Sequence, residues 1–401
     1  MRIFNFNSSE EVKAIMQEIG VDPYGAKIML PKATAFLIRV ETVNNIAANI
    51  LKQEMLSLGA DAAIARGALT GKTKKTGILL MGELAQFNAL VKKLSIQPFG
   101  LQKFAGELKE NIKNFTKNNF VVPLKKGFLG LGDRTQIMGI INLTPDSFSS
   151  DGLYRNFSNN YPDLALQKAQ SMIADGASII DLGGQSSRPG AKAVSTREEL
   201  RRIKPIVKLL AKKISAPISI DTTNPEVARA ALDAGAQIIN DISGLRNKQM
   251  IKIAARCKAA VIIMHMLGIP ENMQKKIRYR SLISDISIYL KNAINSAQEG
   301  GIKPDKIIID PGIGFGKTCA HNFEIIEHLR DFKVLGKPLL IGPSRKSFLT
   351  KVLKLDSEDR VNGTVAACVM AAERGANIVR VHDVKEVKQA LKIVEAIKNA
   401  N

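Results

Sequence analysis

The sequence after Asp133 repeats one local pattern, in which a short β-branched run is followed by a helical stretch and then by another run. Eight such runs succeed one another between Gln136 and Val381. Buried apolar strands that alternate with helices are typical of a parallel sheet. Eight strands in the 267 residues from position 135 onward match the size of a (β/α)8 TIM barrel, and a doubly wound open sheet is the alternative. The repetition therefore predicts an α/β barrel over residues 131–401.

The first third of the chain lacks this repetition. Residues 121–134 contain three glycines and a proline, which interrupt any long periodic element. Ahead of this segment, the hydrophobic spacing predicts a helix over 43–58 that is capped by Thr42. The other predicted elements are strands at 35–40 and 77–81 and helices at 83–94 and 101–115. We therefore expect a small α+β domain over residues 1–130, and no motif in it indicates a chemistry.

The charge of the chain is its one unusual bulk property, with 58 Lys and Arg against 37 Asp and Glu. The excess is spread evenly, because residues 1–134 carry 19 basic and 11 acidic side chains and residues 135–401 carry 39 and 26. Trp is absent and aromatic residues make up 5%, so there is little material for stacking nucleic-acid bases. We therefore expect an anionic small molecule, and no nucleic acid, as the partner of this positive field.

The sequence also bears on location. No apolar run approaches the roughly 18 residues of a membrane span, and the N-terminus has no signal-peptide core. The three cysteines, Cys257, Cys319 and Cys368, form no CxxC pair and no disulfide framework. A reduced, cytoplasmic setting without a membrane partner is therefore expected.

Polar residues follow every predicted strand of the repeated part. They are Asn142, Asp181, Asp221, Asn240, His265, Asp310, the run Ser344-Arg345-Lys346, and the pair Arg380 and His382. One such residue is commonplace, but in a barrel all these strand ends meet at one mouth, where active sites lie. Carboxylates and amides can bind a flat heterocycle that has adjacent N–H and C=O groups. The cations of the same rim, with Arg188 among them, suit phosphate oxygens.

Two other classes of site are excluded. The chain has four histidines in no HxH or HExxH arrangement, which argues against a metal hydrolase. Cys319 and His321 lack further ligands nearby in the sequence, and we expect them at the start of a helix or on the surface. The glycine-rich segments 67–73 and 310–318 each miss the spacing of a nucleotide P-loop.

The motifs at these strand ends resemble those of the dihydropteroate synthase family, enzymes of folate biosynthesis that join 4-aminobenzoate to a dihydropterin. Seven segments carry the resemblance, at 138–149, 181–191, 219–222, 239–244, 310–317, 342–347 and 380–384. They stand in the family's order across about two-thirds of the chain. The resemblance implies a (β/α)8 barrel that condenses 6-hydroxymethyl-7,8-dihydropterin pyrophosphate with 4-aminobenzoate and releases pyrophosphate. It also implies a Mg²⁺ cofactor and a homodimer.

The resemblance further implies roles for individual residues. Those expected to bind the pterin are Asp221, Asn240, Asp310 and Lys346. Those expected to bind the pyrophosphate are Asn142, Ser187, Arg380 and His382, with Asn142 next to the Mg²⁺. Those expected to place the aminobenzoate are Arg188, Phe315 and Ser347. Those expected to act in catalysis are Asp146, Arg188, Lys346, Arg380 and His382.

Three positions depart from the family pattern. Gln185 stands where the second loop commonly has Glu, Ser150 intervenes before Asp151 in the first loop, and Ile313 replaces a frequent aromatic residue. Because of these departures, a non-catalytic pterin-binding protein is an alternative to a synthase. A pterin-dependent methyltransferase that shares the barrel is another, although methyl transfer gives no reason for the cations at 344–347 and 380–382.

Overall fold

The computed structural model describes residues 1, 3, 9–143, 161–186, 194–353 and 360–400. Over this range the chain forms two compact units, Met1–Lys113 and Asn114–Asn401. Each unit contains a buried apolar cluster of its own. Among the described helices, none is long and apolar enough to cross a membrane.

The first unit combines an antiparallel sheet with helices. Its elements are α1 Ser9–Glu18, α2 Pro23–Ala33, β1 Ala35–Asn44, α3 Asn45–Ser57, β2 Asp61–Ile64, α4 Arg66–Leu69, β3 Lys75–Glu83, α5 Leu84–Leu94 and the helix α6 Leu101–Thr116. Strand β3 is central and pairs antiparallel with β1 on one side and β2 on the other. The side chains that α3, β3 and α5 bury together include Leu51, Met55, Leu80, Phe87 and Leu90. The predicted small α+β fold is confirmed.

This unit differs from the prediction at the cap of α3 and in four elements that were not predicted, α1, α2, β2 and α4. Helix α3 begins at Asn45, because strand β1 continues to Asn44 before the chain turns. The cap is therefore Asn44, whose side-chain oxygen accepts the Ala47 N–H at 2.7 Å, and the prediction of Thr42 was wrong. Helix α2 was not predicted, because Pro31 interrupts it and none of its side chains is fully buried, so its hydrophobic period is weak.

The second unit is the predicted barrel. Its strands are β4 Phe120–Pro123, β5 Phe128–Leu131, β6 Gln136–Asn142, β7 Ile179–Gly183, β8 Ile218–Asp221, β9 Ile238–Asp241, β10 Ala260–Met264, β11 Ile307–Asp310, β12 Leu340–Ile341 and β13 Ile378–Val381. Strands β6 to β13 form a parallel sheet in the order β11-β10-β9-β8-β7-β6-β13-β12. A parallel bridge between Ile309 and Leu339 joins the two ends, so the sheet closes on itself. The (β/α)8 barrel is confirmed.

Helices follow the barrel strands. They are α7 Tyr161–Ala174, α8 Thr196–Lys213, α9 Pro225–Ala234, α10 Lys248–Arg256, α11 Leu282–Glu299, α12 Cys319–Glu327, α13 Ser347–Leu353, α14 Val361–Glu373 and α15 Val384–Lys398. Helix α12 begins where Cys319 and His321 predicted a helix start. Thr318 is its cap and accepts the His321 N–H at 3.2 Å, while the His321 ring accepts the Thr318 N–H in return.

Alternation along the strands divides the barrel interior into an apolar lower part and a polar mouth. Residues two apart on a strand point to the same side of the sheet. Completely buried isoleucines of one interior cluster stand at positions 179, 238, 308 and 378. Two positions after them stand Asp181, Asn240, Asp310 and Arg380. The same period of two that fills the barrel with isoleucine therefore turns these polar side chains inward at its mouth.

A hairpin lies at the other end of the barrel, where the strands begin. Strands β4 and β5 pair antiparallel, and their residues Val122, Leu129 and Leu131 belong to the same interior cluster as the isoleucines. The buried Lys306, which precedes β11, fastens the hairpin because its Nζ donates to the Pro123 carbonyl at 2.6 Å. The hairpin is thus the floor of the barrel.

Because of this hairpin, the boundary between the two units lies earlier in the chain than predicted. The glycines and the proline of residues 121–134 suggested a break, with the barrel beginning at 131. Several of them instead belong to the hairpin, whose turn is closed by the Leu124 N–H and the Gly127 carbonyl at 3.0 Å, with Gly127 at φ +73°. Because the hairpin packs with the barrel strands, the boundary between the compact units lies after Lys113.

Truncating the floor should cost much more stability than truncating the outer face of the same strand. Leu131→Ala removes a side chain from the interior cluster, so we expect the free energy of unfolding of the barrel to fall by about 2–4 kcal/mol. Phe128→Ala is the control, because 68% of the Phe128 surface is exposed. It should cost less than about 1 kcal/mol. Urea unfolding followed by circular dichroism measures both, and equal losses would show that the hairpin is not part of this core.

Candidate active site

The polar mouth is organised around the Arg380 guanidinium. Its Nε donates to Asp181 Oδ2 at 2.7 Å and its Nη2 donates to Asp221 Oδ2 at 2.8 Å. The three side chains come from β13, β7 and β8, and Asp181 is completely buried. A buried charge is strongly disfavoured unless it is paired and hydrogen-bonded, and here one guanidinium partners two carboxylates.

Burial in this group shifts the titration of Asp221. Burial raises the pKa of Asp221 to about 7, against the opposing effect of Arg380, and the nearby Asp181 charge adds to the rise. Burial alone would lower the pKa of Arg380, but the Asp181 and Asp221 carboxylates outweigh it, so that pKa is raised. Arg380 therefore stays charged at neutral pH, whereas Asp221 titrates there.

Asp181 also orients Asn240. The Asn240 Nδ2 donates to Asp181 Oδ2 at 3.2 Å, so the amide oxygen of Asn240 is the atom left to accept a hydrogen bond from a ligand. The other carboxylate oxygen, Asp181 Oδ1, is buried and has no hydrogen-bond partner within the described residues. The sequence placed Asp181 among the strand-end groups that could bind a heterocycle, whereas the family resemblance gave it no individual role, and in the structure it contacts two of the predicted site residues.

Asp310 and Lys346 form the opposite part of the mouth. Asp310 Oδ1 accepts the Gly312 N–H at 2.7 Å, and Lys346 Nζ donates to the Ile313 carbonyl. The same Nζ lies 4.6 Å from the centre of the Phe315 ring, within cation–π range. Burial lowers the pKa of Lys346 to about 8, while the charges of Asp310 and Asp221 oppose that decrease. Burial also raises the pKa of Asp310, and Lys346 opposes this rise.

A chain of hydrogen bonds joins His382 to Asn142. Ser344 Oγ lies 3.0 Å from His382 Nδ1, and Asn142 Nδ2 lies 3.3 Å from His382 Nε2. Because an amide nitrogen is only a donor, Nε2 must accept, and the neutral ring then carries its hydrogen on Nδ1 and donates to Ser344. The chain brings together two of the residues predicted to bind pyrophosphate, from the ends of β6 and β13.

Neighbouring residues in the run from 344 to 347 have different surroundings. The side chain of Arg345 turns away from Lys346 and pairs with Asp383, with Nε–Oδ2 at 3.1 Å and Nη2–Oδ1 at 2.5 Å. Arg345 adopts a left-handed backbone conformation at φ +55°, and its N–H donates to Thr364 Oγ1 at 3.0 Å. Ser347 is the first residue of α13, as its predicted role requires.

Some of the residues singled out in the sequence take no part in the contacts described above. Asp146, Ser187 and Arg188 lie outside the described residues, and so does Ser150. Ile313, which departs from the family pattern, buries its side chain in the main apolar cluster of the barrel and meets Lys346 through its backbone.

Lys317 is the buried cationic residue that sequence reasoning missed, although it stands in the motif 310–317. Its Nζ lies 2.8 Å from His265 Nδ1 and donates to the His265 carbonyl at 3.3 Å and the Phe315 carbonyl at 3.1 Å. Burial lowers the pKa of Lys317 well below its ordinary value, and burial with the Lys317 charge lowers the pKa of His265 to about 2. The ring of His265 is therefore neutral and accepts from Lys317.

The raised pKa of Asp221 makes stability depend on pH in a defined direction. A carboxyl whose folded pKa exceeds its unfolded pKa adds stability at low pH, and that stability is lost as the pH rises through about 7. We expect the free energy of unfolding to fall between about pH 5 and about pH 8, and to fall less in Asp221→Asn, which cannot titrate. Urea unfolding at both pH values measures this. The same fall in both proteins would contradict the raised pKa.

The mouth lies within the part of the chain that matches known proteins. The family model described as "Pterin binding enzyme" matches residues 138–382. The dihydropteroate synthase of Synechocystis sp. is 46% identical over 278 residues, which cover 69% of this chain and 94% of that protein. The solved structure of Xanthomonas albilineans dihydropteroate synthase with 4-aminobenzoic acid matches with a TM-score of 0.63 at 38% identity, covering 68% of this chain and 96% of that one.

Another relative extends into the first unit. A probable bifunctional folylpolyglutamate synthase/dihydropteroate synthase of Halobacterium salinarum is 35% identical over 390 residues. This alignment covers 97% of the chain, so it includes residues ahead of the barrel, but the chain spans about half the length of that relative (46%). The barrel, its polar mouth and the matched relatives agree, and the chain belongs to the dihydropteroate synthases of the pterin-binding enzyme family.

Proposed function

We propose that this chain condenses 6-hydroxymethyl-7,8-dihydropterin pyrophosphate with 4-aminobenzoate to give 7,8-dihydropteroate and pyrophosphate. The observation that carries the proposal is the convergence of opposite charges at one barrel mouth. Asp221, Asp310 and Arg380 all lie near enough to Lys346 to shift its pKa. Such a mouth provides acceptors for a heterocycle and cations for an anionic leaving group. The relatives named above, which are synthases, support the same reaction.

The acceptors of the mouth suit the donor edge of a pterin. That edge carries the 2-amino group and the N3 hydrogen, and the carboxylates of Asp221 and Asp310 can accept from both. Asn240 gives its amide nitrogen to Asp181 and so offers its oxygen to the same ligand. Lys346 is a donor and suits the ring carbonyl and N5 of the pterin. These complementary groups support the pterin roles predicted for the four residues.

The pyrophosphate roles receive a more specific interpretation. His382 and Asn142 are hydrogen-bonded to each other, which supports a shared role at one anion. Two nitrogens of Arg380 donate to carboxylates, so its guanidinium has fewer donors left for a pyrophosphate than a guanidinium without such partners. We therefore assign Arg380 to the pterin as well as to the pyrophosphate. Ser187, Arg188 and Asp146 keep their roles in pyrophosphate binding, aminobenzoate placement and catalysis as predictions.

The expected Mg²⁺ fits this mouth only as a companion of the pyrophosphate. In the part of the chain that the structure describes, no group of three or more His, Cys, Asp or Glu side chains could hold a metal ion. Mg²⁺ is often held by few protein oxygens together with substrate phosphates. Asn142 turns its amide nitrogen to His382, which leaves its oxygen as the protein ligand. When bound, the ion would neutralise part of the pyrophosphate charge.

The aminobenzoate is proposed to lie on the Phe315 side of the mouth. Phe315 packs against a cluster of Ile242, Met264, Met266 and Met273, and this apolar wall suits an aryl ring. Ser347 stands nearby in sequence to Lys346, at the start of α13, where its hydroxyl suits a carboxylate. The known structure with 4-aminobenzoic acid supports this acceptor for the family.

The chemistry needs charge stabilisation more than proton transfer. The C–O bond to the pyrophosphate breaks and leaves positive charge on the methylene carbon, which the pterin ring delocalises. The arylamine nitrogen forms the new C–N bond there and loses a proton to solvent. The carboxylates of Asp221 and Asp310 are already held in place by Arg380 and the Gly312 N–H, so they stabilise the developing cation without rearrangement. Arg380 would stabilise the leaving anion directly, and His382 would act there through its hydrogen bond to Asn142.

Other outcomes follow from the same residues. The grouping of Lys346, Arg380 and His382 has a use in pyrophosphate release and none in methyl transfer, which disfavours the methyltransferase alternative. A non-catalytic pterin-binding protein would bind the pterin and form no product. The substrates are proposed as the partners of the chain, while the homodimer, the cytoplasmic location and the absence of a nucleic-acid or membrane partner stay predictions.

The purified protein should form 7,8-dihydropteroate and pyrophosphate in equal amounts from the two substrates and Mg²⁺. Lys346→Ala should lower kcat/KM by about 30- to 100-fold, because it removes a buried charged donor. Lys351→Ala is the control, since Lys351 is exposed on α13 and should leave turnover unchanged. Steady-state assays of both products measure this. Pterin binding without product from the unaltered protein would favour the non-catalytic alternative.

The affinity for the pterin should weaken in alkali. Lys346 has a pKa of about 8, lowered by burial, so its positive charge is lost as the pH rises through that value. We expect kcat/KM for the pterin substrate to fall above about pH 8, as Lys346 loses its proton. Lys346→Arg keeps a cation at high pH and should lower the absolute rate while moving the alkaline decrease upward. An unchanged alkaline limb would show that another group causes it.

A further inference from the structure

The loop that carries Phe315 has almost no conformational preference of its own. It comprises residues 311–317, here the Phe315 loop, and contains three glycines. Gly312, Gly314 and Gly316 stand at φ +74°, +82° and +67°, a left-handed region that other residues rarely adopt. Glycine loses more conformational freedom on folding than any other residue. The position of Phe315 therefore depends on the hydrogen bonds that hold the loop.

Side chains hold the backbone of this loop at four consecutive carbonyls. The donors are Lys346 Nζ to Ile313, Gln274 Nε2 to Gly314 at 2.9 Å, Lys317 Nζ to Phe315 at 3.1 Å, and Tyr279 Oη to Gly316 at 2.9 Å. Gln274 and Tyr279 belong to the segment between β10 and α11, so one neighbouring connection supplies two of the four bonds. Most backbone carbonyls bond to other backbone groups, so such a row indicates a loop built to be fixed.

Lys317 and Tyr279 tie the Phe315 loop to the end of β10. Lys317 Nζ meets the ring and the carbonyl of His265 and the carbonyl of Phe315, so it joins the loop to the residue that follows β10. The ring of Tyr279 lies 6.0 Å from the His265 ring, with its hydroxyl on the Gly316 carbonyl. The two contacts flank Phe315 on its carboxyl side. On its amino side, Lys346 fixes the Ile313 carbonyl and also lies over the Phe315 ring.

We infer that Tyr279 and Lys317 are positioning residues for the arylamine. They fix the Phe315 loop so that the Phe315 ring forms a preorganised wall beside Lys346. The inference rests on the proposed function, because it takes Phe315 as part of the arylamine site. A wall that is already in place spares the substrate the cost of ordering it. Loosening it should therefore weaken arylamine binding more than pterin binding, because Asp221 and Asn240 are held by Arg380 and Asp181 on the strand ends.

The test compares two substitutions that each remove one hydroxyl. Tyr279→Phe loses the bond to the Gly316 carbonyl at 2.9 Å. Tyr289→Phe loses a bond of the same length to the Ser243 carbonyl and the bond that its hydroxyl accepts from Arg246 Nε at 3.1 Å, neither of which involves the loop. Tyr289 also packs on His265, at 4.8 Å between ring centres, so the control shares the surroundings. KM for 4-aminobenzoate, KM for the pterin pyrophosphate and kcat are measured for both variants and for the unaltered protein.

We expect Tyr279→Phe to raise KM for 4-aminobenzoate about fivefold, the effect of one lost hydrogen bond, with the pterin KM within about twofold. Tyr289→Phe should change neither KM. The inference is overturned if Tyr279→Phe behaves like the unaltered protein, or if it raises both KM values equally, as general destabilisation would.

A binding measurement separates this inference from the proposed function. Calorimetric titration of 4-aminobenzoate into protein preloaded with pterin and pyrophosphate measures arylamine binding in the absence of turnover. If the unaltered protein forms no product yet Tyr279→Phe weakens arylamine binding about fivefold, the positioning role stands while the proposed reaction fails. Lys317→Met, which removes the deeper tie, should weaken this binding further in protein that keeps its thermal stability. Unchanged binding in both variants would overturn the inference.

Discussion

The mouth of this barrel depends on how three charges are buried together. Arg380 satisfies Asp181 and Asp221 at once, and Asp181 in turn fixes Asn240. Removing one partner of such a group leaves an uncompensated buried charge, which is far more costly than the group itself is stabilising. The side chains of Asp221 and Asn240 are therefore held in place by neighbouring strands without any ligand. Burial raises the pKa of Asp221 to about 7, although the Arg380 charge opposes this rise.

The sequence pattern was sufficient to predict most of the fold, because each barrel strand is a short β-branched run that a helical stretch follows. Every predicted barrel strand is present, and the residues that end them lie together at one mouth. The hairpin of β4 and β5 was not predicted, since its glycines and proline look the same in a linker and in a tight turn. Only its packing under the strands distinguishes the two. The prediction of Thr42 as the cap of α3 was wrong for a related reason. The length of strand β1 decides which polar residue directly precedes the helix.

The site was predictable as a set of residues but not as a set of contacts. Asp221, Asn240, Asp310, Lys346, Arg380 and His382 were all expected at the mouth. Their pairing was not, because the direction in which Arg380 points depends on Asp181 from another strand. Lys317 was missed although it stands in a predicted motif, since its burial against His265 is fixed by tertiary structure. Tyr279 carries no local signal, and only its contact with the Phe315 loop gives it a meaning.

The floor formed by the hairpin affects how molecules would enter and leave the barrel. Val122, Leu129 and Leu131 pack with the isoleucines that fill the lower end, so substrates would enter and leave from the mouth. In a blind pocket, whatever binds deeper must arrive first and depart last. The pterin, held by strand-end residues, would precede the arylamine beside Phe315. Such an order would follow from the closed lower end, which the strand isoleucines and the hairpin fill together.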